Sequence, residues 1–306
     1  MAGILKDAAG NEVTTANIVV ENPTVYVDDT NGNDSNTGSA TGSGNALKTI
    51  QAAVDKVDQW IGTFTINLAA GTYYGGVDFN KKEGAEIKLV GAAEATTIIS
   101  GATSGNPTTA NDQYCLRFID CCLANVQIEA MTLQYATTYG ILKNRSTGRT
   151  ILKDMTIKEI ANSGSYGVLN YWSGVIQCNN VDIVDVGGTG FGAQSAQLDF
   201  TSAASTVVNC SKGGNSNGYP LALYFQATCN IAVSGCLFKG ATSYDTICIY
   251  NQGGRLLSTT GFTVEKGSIG IYGVWQAHIS AQTAPTYTSI STNTALSSGA
   301  LMSTGT

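Results

Sequence analysis

An internal repeat constrains this chain more than any other feature. Six segments share an alternating apolar run, a Gly/Ser/Asn-rich turn and an aromatic residue leading into a second run. They read AMTLQYATTYGILKN, DMTIKEIANSGSYGVLN, NVDIVDVGGTGFGAQ, TVVNCSKGGNSNGYPLAL, GCLFKGATSYDTICIYN and GFTVEKGSIGIYGV. Anchored on Met131, Met155, Val181, Val207, Cys236 and Phe262, they recur at intervals of 24, 26, 26, 29 and 26 residues. A period in the mid-twenties made of short β runs fits a solenoid coil and not a closed globule.

Side-chain parity agrees. Two residues after each anchor stand Leu133, Ile157, Ile183, Asn209, Phe238 and Val264, an apolar column with one exception. The intervening positions, Thr132, Thr156, Asp182, Val208, Leu237 and Thr263, are mostly polar, as a strand with one buried face requires. The leucine-rich signature and the four-strand blade of a propeller are both missing. Crossovers between parallel strands favour a right-handed coil. The expected fold is therefore all-β: a right-handed, single-stranded parallel β-helix with a short N-terminal capping helix. That helix is expected near 49–60, with Thr49 as N-cap and Ile50, Ala53, Val54, Val57 and Ile61 on one face. Residues 1–24 read as a leader or attachment segment, 25–280 as the coil, and 281–306 as a Ser/Thr-rich tail without charge.

Composition narrows the function classes. Only 12% of residues are charged and the net charge is −6, so the basic footprint of a nucleic-acid binder is missing. No apolar run is long enough to insert in a membrane as a helix, and the first twenty residues lack the pattern of a secretory signal. The eight Cys form no CxxC pair, and free thiols packed as small hydrophobes are expected. The lone His278 leaves no Ser-His-Asp or Cys-His nucleophile and no Cys/His zinc set, so neither a metal nor another cofactor is expected.

The runs VYVDDTNGNDSNTGSATGSGNALKTIQAAVDKV, INLAAGTYYGGV and IKLVGAAEATTIISG resemble the N-terminal cap and first turns of the pectate-lyase-like right-handed parallel β-helix superfamily, in which phage tail spikes and other virion proteins commonly open this way. The resemblance spans roughly residues 25–280 and speaks for fold more than chemistry, because the same shell carries lyases, esterases, glycosidases and inert structural proteins.

A calcium-dependent lyase needs an aspartate cluster and a base; Asp182 and Asp185 share a turn, Lys158 and Lys153 are the nearest bases, and the pattern is incomplete. A glycosidase needs two carboxylates. Glu159 and Asp185 fall at equivalent repeat positions, so as neighbours on adjacent turns they are the weak catalytic candidates, with Asp199 and Glu129 behind them. The Asp28–Asp34 loop reads as turn chemistry and not a calcium site. Tyr139, Tyr166, Phe191, Tyr219 and Tyr244 are expected as a stack at one corner. Tyr135, Tyr171, Trp172, Tyr272 and Trp275 are the candidate glycan contacts, since aromatic faces beside hydroxyl and amide groups suit sugar rings.

The reading that results is a structural phage virion protein, a tail spike, fibre or capsid decoration, with host-surface glycan as a binding partner. The alternatives are a tail-spike depolymerase and a bacterial carbohydrate-binding β-helix. The resemblance also implies location in the phage particle after synthesis in the host cytoplasm, contact with other virion proteins, and a homotrimer. The exposed apolar pair Val208 and Leu237 and the tail residues Tyr287, Ile290, Leu296, Leu301 and Met302 are the expected contacts between chains.

Overall fold

The computed structural model describes residues 20–57, 59–102, 113–200, 205–210, 219–231, 235–240, 247–297 and 299–304. The chain is a parallel β-helix of about eight turns. Every strand pairing among the described residues is parallel, and the strands stack into three sheets that wrap one core.

Sheet one runs from Thr24–Val27 through Gln59–Leu68, Glu83–Gly91, the first halves of Cys122–Gln134, Arg149–Ile160 and Val175–Val186, and on to Leu301–Thr304. Sheet two takes the second halves of those long strands, which bend at Ala130, Asp154 and Asn180, each in the left-handed conformation. Sheet three stacks Val77–Asn80, Tyr114–Ile119, Tyr139–Asn144, Tyr166–Tyr171, Thr189–Gln194, Leu221–Tyr224, Ile247–Gln252 and 269–274.

Alternation along each strand sends like residues into like interior columns. Leu133, Ile157, Ile183, Val207, Phe238 and Val264 form one such column and are all fully buried. This corrects the repeat alignment: Val207 pairs with Ile183, so the fourth repeat was anchored two residues late. The apparent polar exception, Asn209, is not a member of the column; it follows Val208 at the end of sheet two, and its side chain lies outside the described residues. The shift also separates Val208, which pairs with Lys239, from Leu237, which pairs with Thr206. Above this level, Phe191, Phe200, Phe238 and Phe262 contact one another edge-to-face at 5.0, 5.8 and 6.2 Å, a geometry that aligns ring edges with ring faces.

The capping helix is shorter than expected, Ile50–Asp55. Thr49 is its N-cap, accepting from the Ala52 N–H at 3.2 Å, and Ile50, Ala53 and Val54 are buried against the first turns. Residues 59–61 belong to a strand, and Ile61 is exposed, against the helical-face expectation. The reason is Trp60, whose ring is buried and whose indole N–H donates to the Glu86 carbonyl at 2.7 Å, drawing this stretch into register with 83–84.

The uncharged tail adds strands to the coil, Thr286–Leu296 on Thr263–Val274 and Leu301–Thr304 on His278–Ala281. Tyr287, Ile290 and Met302 are half-buried against the core of their own chain, and Leu296 and Leu301 are exposed. Seven Cys are buried as free thiols and Cys122 is exposed. No helix among the described residues is long and apolar enough to cross a membrane.

Candidate functional site

The corner between sheet three and the next turn's sheet one opens on a left-handed residue in every turn. In order these are Lys81, Asp120, Arg145, Trp172, Ser195, Phe225, Gly253 and Trp275, with φ between 43° and 70°. The hydrogen-bond ladder continues through them: the N–H of Trp172 donates to the Gln194 carbonyl at 2.9 Å, that of Phe225 to Gln252 at 2.8 Å, and that of Gly253 to Val274 at 3.0 Å. The conformation turns the chain sharply and aims each side chain away from the core.

Inside the same corner, polar side chains bind the turn carbonyls. Lys143 Nζ donates to Gly148 O at 2.7 Å, and Asn170 Nδ2 to Gly174 O at 2.9 Å and Gln197 O at 2.8 Å. Burial pushes the Lys143 amine down to about 8. A Cβ on Gly174 would stand 2.0 Å from Gly148 O, so stacked glycines let these turns approach.

Three corner positions break the local preference. Left-handed backbone suits Gly, Asn and Asp, and costs a bulky residue about 1–3 kcal/mol. Yet Trp172, Phe225 and Trp275 hold it while remaining 54%, 48% and 56% exposed. Core packing does not account for large rings placed there. Trp172 stacks on Tyr171 at 4.4 Å, and Phe225 and Trp275 lean together at 6.3 Å across the turn occupied by Gly253. Next to this corner, where the turns lead into sheet one, a concavity of about 290 Å³ is lined by Ser173, Gly174, Ser195, Gln197, Gln226 and Thr228, among others, and by none of these aromatic rings. Aromatic faces beside a polar hollow can hold a sugar, ring faces against π surfaces and hydroxyls against amides.

The structure thus unites Trp172, Tyr171 and Trp275 along one edge. Tyr272 lies on the adjacent outer face of sheet three, packed beside Tyr250 at 6.0 Å. Tyr135 does not join them: it stands at the corner after sheet two, in the left-handed column that continues through Glu159 and Asp185. Its hydroxyl bonds Glu159, and that carboxylate raises the Tyr135 pKa. Phe225 escaped the sequence reading. The signal was there in the paired turns FQAT and WQAH, whose first two residues are both left-handed.

Glu159 and Asp185 occupy the same position on adjacent turns, flanked by the pairs Lys158–Val184 and Ile160–Val186. The other acidic candidates are engaged or isolated. Asp182 accepts from Thr206 Oγ1, and Glu129 accepts from Gln127 Nε2 and lies 3.5 Å from Lys153 Nζ. Asp199 is raised by burial, with Arg149 acting the other way, and its Oδ1 is buried without a partner. In the Asp28–Asp34 loop, Asp28 accepts from the N–H groups of Thr30 and Asn31 and Asp34 from those of Lys48 and Thr49. These bonds hold Asp28 below the usual carboxylate range, led by the Asn31 N–H. Among the described residues no group of three or more His, Cys, Asp or Glu could hold a metal.

The expected aromatic stack is divided. Tyr139 and Tyr166 stack at 6.1 Å and Tyr219 stacks on Tyr250 at 4.7 Å, whereas Phe191 pairs with Val168 and faces the core; Tyr244 lies outside the described residues.

No protein-family model and no curated protein matches this chain. Among solved structures, pectin methylesterase from carrot is similar at 14% identity and a TM-score of 0.50, over 93% of this chain and 88% of that one. A GH136 lacto-N-biosidase from Eubacterium ramulus gives 11% identity and a TM-score of 0.43, over 92% of this chain and 67% of that one. ORF18 of Geobacillus virus E2 gives 15% and 0.44, over 79% and 54%. At such identity the carrot enzyme shows what the strand pairing shows, the parallel β-helix fold.

Proposed function

We propose that this chain is a structural β-helix protein of a phage particle whose Trp172–Trp275 corner contacts host-surface glycans. The observation that carries the glycan reading is the exposed, left-handed Trp172, Phe225 and Trp275 on a corner beside a polar hollow. The virion context is supported by the sequence resemblance over residues 25–280 and by the low charge. Binding without cleavage is favoured over depolymerisation because Glu159 and Asp185 lie at a different corner. A six-residue strand such as Tyr166–Tyr171, about 20 Å long, separates the two corners.

Titration of purified protein with host-surface polysaccharide is the test. Trp172→Ala and Trp275→Ala are expected to weaken binding by about tenfold or more each, with an unchanged thermal midpoint. No reducing ends should appear. Their release by the wild type, lost in Glu159→Gln or Asp185→Asn, would establish the depolymerase instead.

A homotrimer is part of the same proposal, supported by exposed Leu296 and Leu301 and half-buried Val208 and Leu237 on the outer surface. Light scattering at micromolar concentration should return three times the chain mass of 31.7 kDa. A value equal to the single chain would remove the trimer.

A further inference from the structure

We infer that this corner takes an uncharged, linear, extended glycan laid parallel to the coil axis, bridging the Tyr171–Trp172 and Phe225–Trp275 platforms. The inference rests on the glycan-contact reading above and deepens it in substrate class and orientation. Its first ground is register. Trp172 and Phe225 occupy the same corner position two turns apart, which at the spacing of paired strands is about 9.5 Å of backbone. That step matches two pyranose units of an extended chain, so a trisaccharide is the shortest glycan able to rest on both platforms.

The second ground is what lies between. The intervening corner residue is Ser195, small enough to leave the gap open, its hydroxyl donating to the Phe225 carbonyl of the next turn at 3.0 Å. Beyond Phe225 the corner residue is Gly253, with no side chain to part the two rings. A bulky residue at either turn would interrupt a ligand running along the axis.

The third ground is charge. The hollow is lined by serine, glutamine, threonine and small apolar residues, with no ionisable group. Arg145, one turn below Trp172, is held by both oxygens of Asp120, at 2.8 and 3.1 Å. Arg149 and Arg255 stand one turn below Val175 and one above Thr228, outside the lining. Amide and hydroxyl groups serve sugar hydroxyls, whereas carboxylated sugars call for guanidinium or ammonium partners inside the groove.

The experiment is calorimetric titration of the full chain with cello-, manno- and xylo-oligosaccharides of two to six units, alongside polygalacturonate fragments of equal length. Affinity for at least one neutral series should rise by about tenfold or more between two and four units. Phe225→Ala should abolish that step, and circular dichroism should show its fold unchanged. Equal affinity for all lengths, an intact step in Phe225→Ala, or tighter binding of the acidic fragments would overturn the inference. If host polysaccharide still binds through Trp172 and Trp275 in that case, glycan contact stands and only the axial, neutral mode falls. Absence of binding to every neutral series and to host polysaccharide would overturn both.

Discussion

Ile183→Asp is expected to abolish the folded state, leaving protein that is insoluble or that shows no cooperative unfolding transition. Ile183 is fully buried between Ile157 below and Val207 above in the sheet-two column. A carboxylate there would find no cationic partner among its column neighbours, and an uncompensated buried charge costs several kcal/mol on top of the lost apolar burial. Domain stability is typically about 5–15 kcal/mol, so one such lesion consumes most of it. Ile183→Val, which keeps the column apolar, should cost about 0.5–1.5 kcal/mol and fold normally. Chemical denaturation of the two variants beside the wild type checks this; a cooperative wild-type-like transition for Ile183→Asp would show that the column does not support the coil.

Alkaline pH is expected to unfold the protein from about pH 9 upward under reducing conditions. Burial pushes Cys115, Cys236 and Cys248 up to about 12 from an ordinary 9.0, and raises Cys178 and Cys229 well above it. Cys210 and Cys121 move the same way, again through burial. The unfolded chain therefore releases thiol protons above pH 9 that the folded chain retains. Stability from these groups is complete below pH 9 and is lost as pH rises towards 12, by up to about 1.4 kcal/mol per pH unit for each thiol. Lys143 opposes this between about 8 and its ordinary 10.5, where the unfolded chain keeps a proton the folded amine has shed, but it is one group against several. Urea midpoints measured from pH 7 to 11 should hold to about pH 9 and then fall steeply, less steeply in Cys178→Ala and Cys229→Ala. A flat midpoint to pH 10.5 would mean the thiols are not shielded as the packing indicates.

Much of the coil was legible because its determinants are local. Alternation in IKLV, TILKDMTIK and VDIVDV sets which side chains point inward whatever the neighbouring turn does. Thr49 was identifiable as an N-cap because its capping bond reaches only three residues along the chain, to the Ala52 N–H. The capping helix was overextended where a distant partner intervenes: the 59–61 stretch continues the helical apolar pattern, but burial of Trp60 and pairing with 83–84 hold it as strand. In the fourth repeat, Thr206-Val207-Val208 alternates equally well in two registers, and only pairing with 182–184 selects one.

The candidate site was less legible. Tyr171, Trp172 and Trp275 stood out as exposed-looking aromatics beside polar residues, but nothing local separates them from Tyr135, which belongs to another corner. Phe225 lies among apolar residues in LALYFQAT and reads as core until its turn is seen to place it outside. Successive corner residues from Arg145 to Trp275 lie between 22 and 30 residues apart, so no fixed period reveals their alignment.

The amino-acid sequence by itself determined that this chain forms stacked β turns with a buried face, packs seven of its eight thiols inside them, and carries little charge. Those outcomes follow from residue type and short-range alternation. Only the tertiary structure decided which residues share a corner, because loops of unequal length absorb the spacing while interstrand pairing sets the register. That pairing aligns Trp172, Ser195, Phe225, Gly253 and Trp275 into one edge and leaves Tyr135 on another.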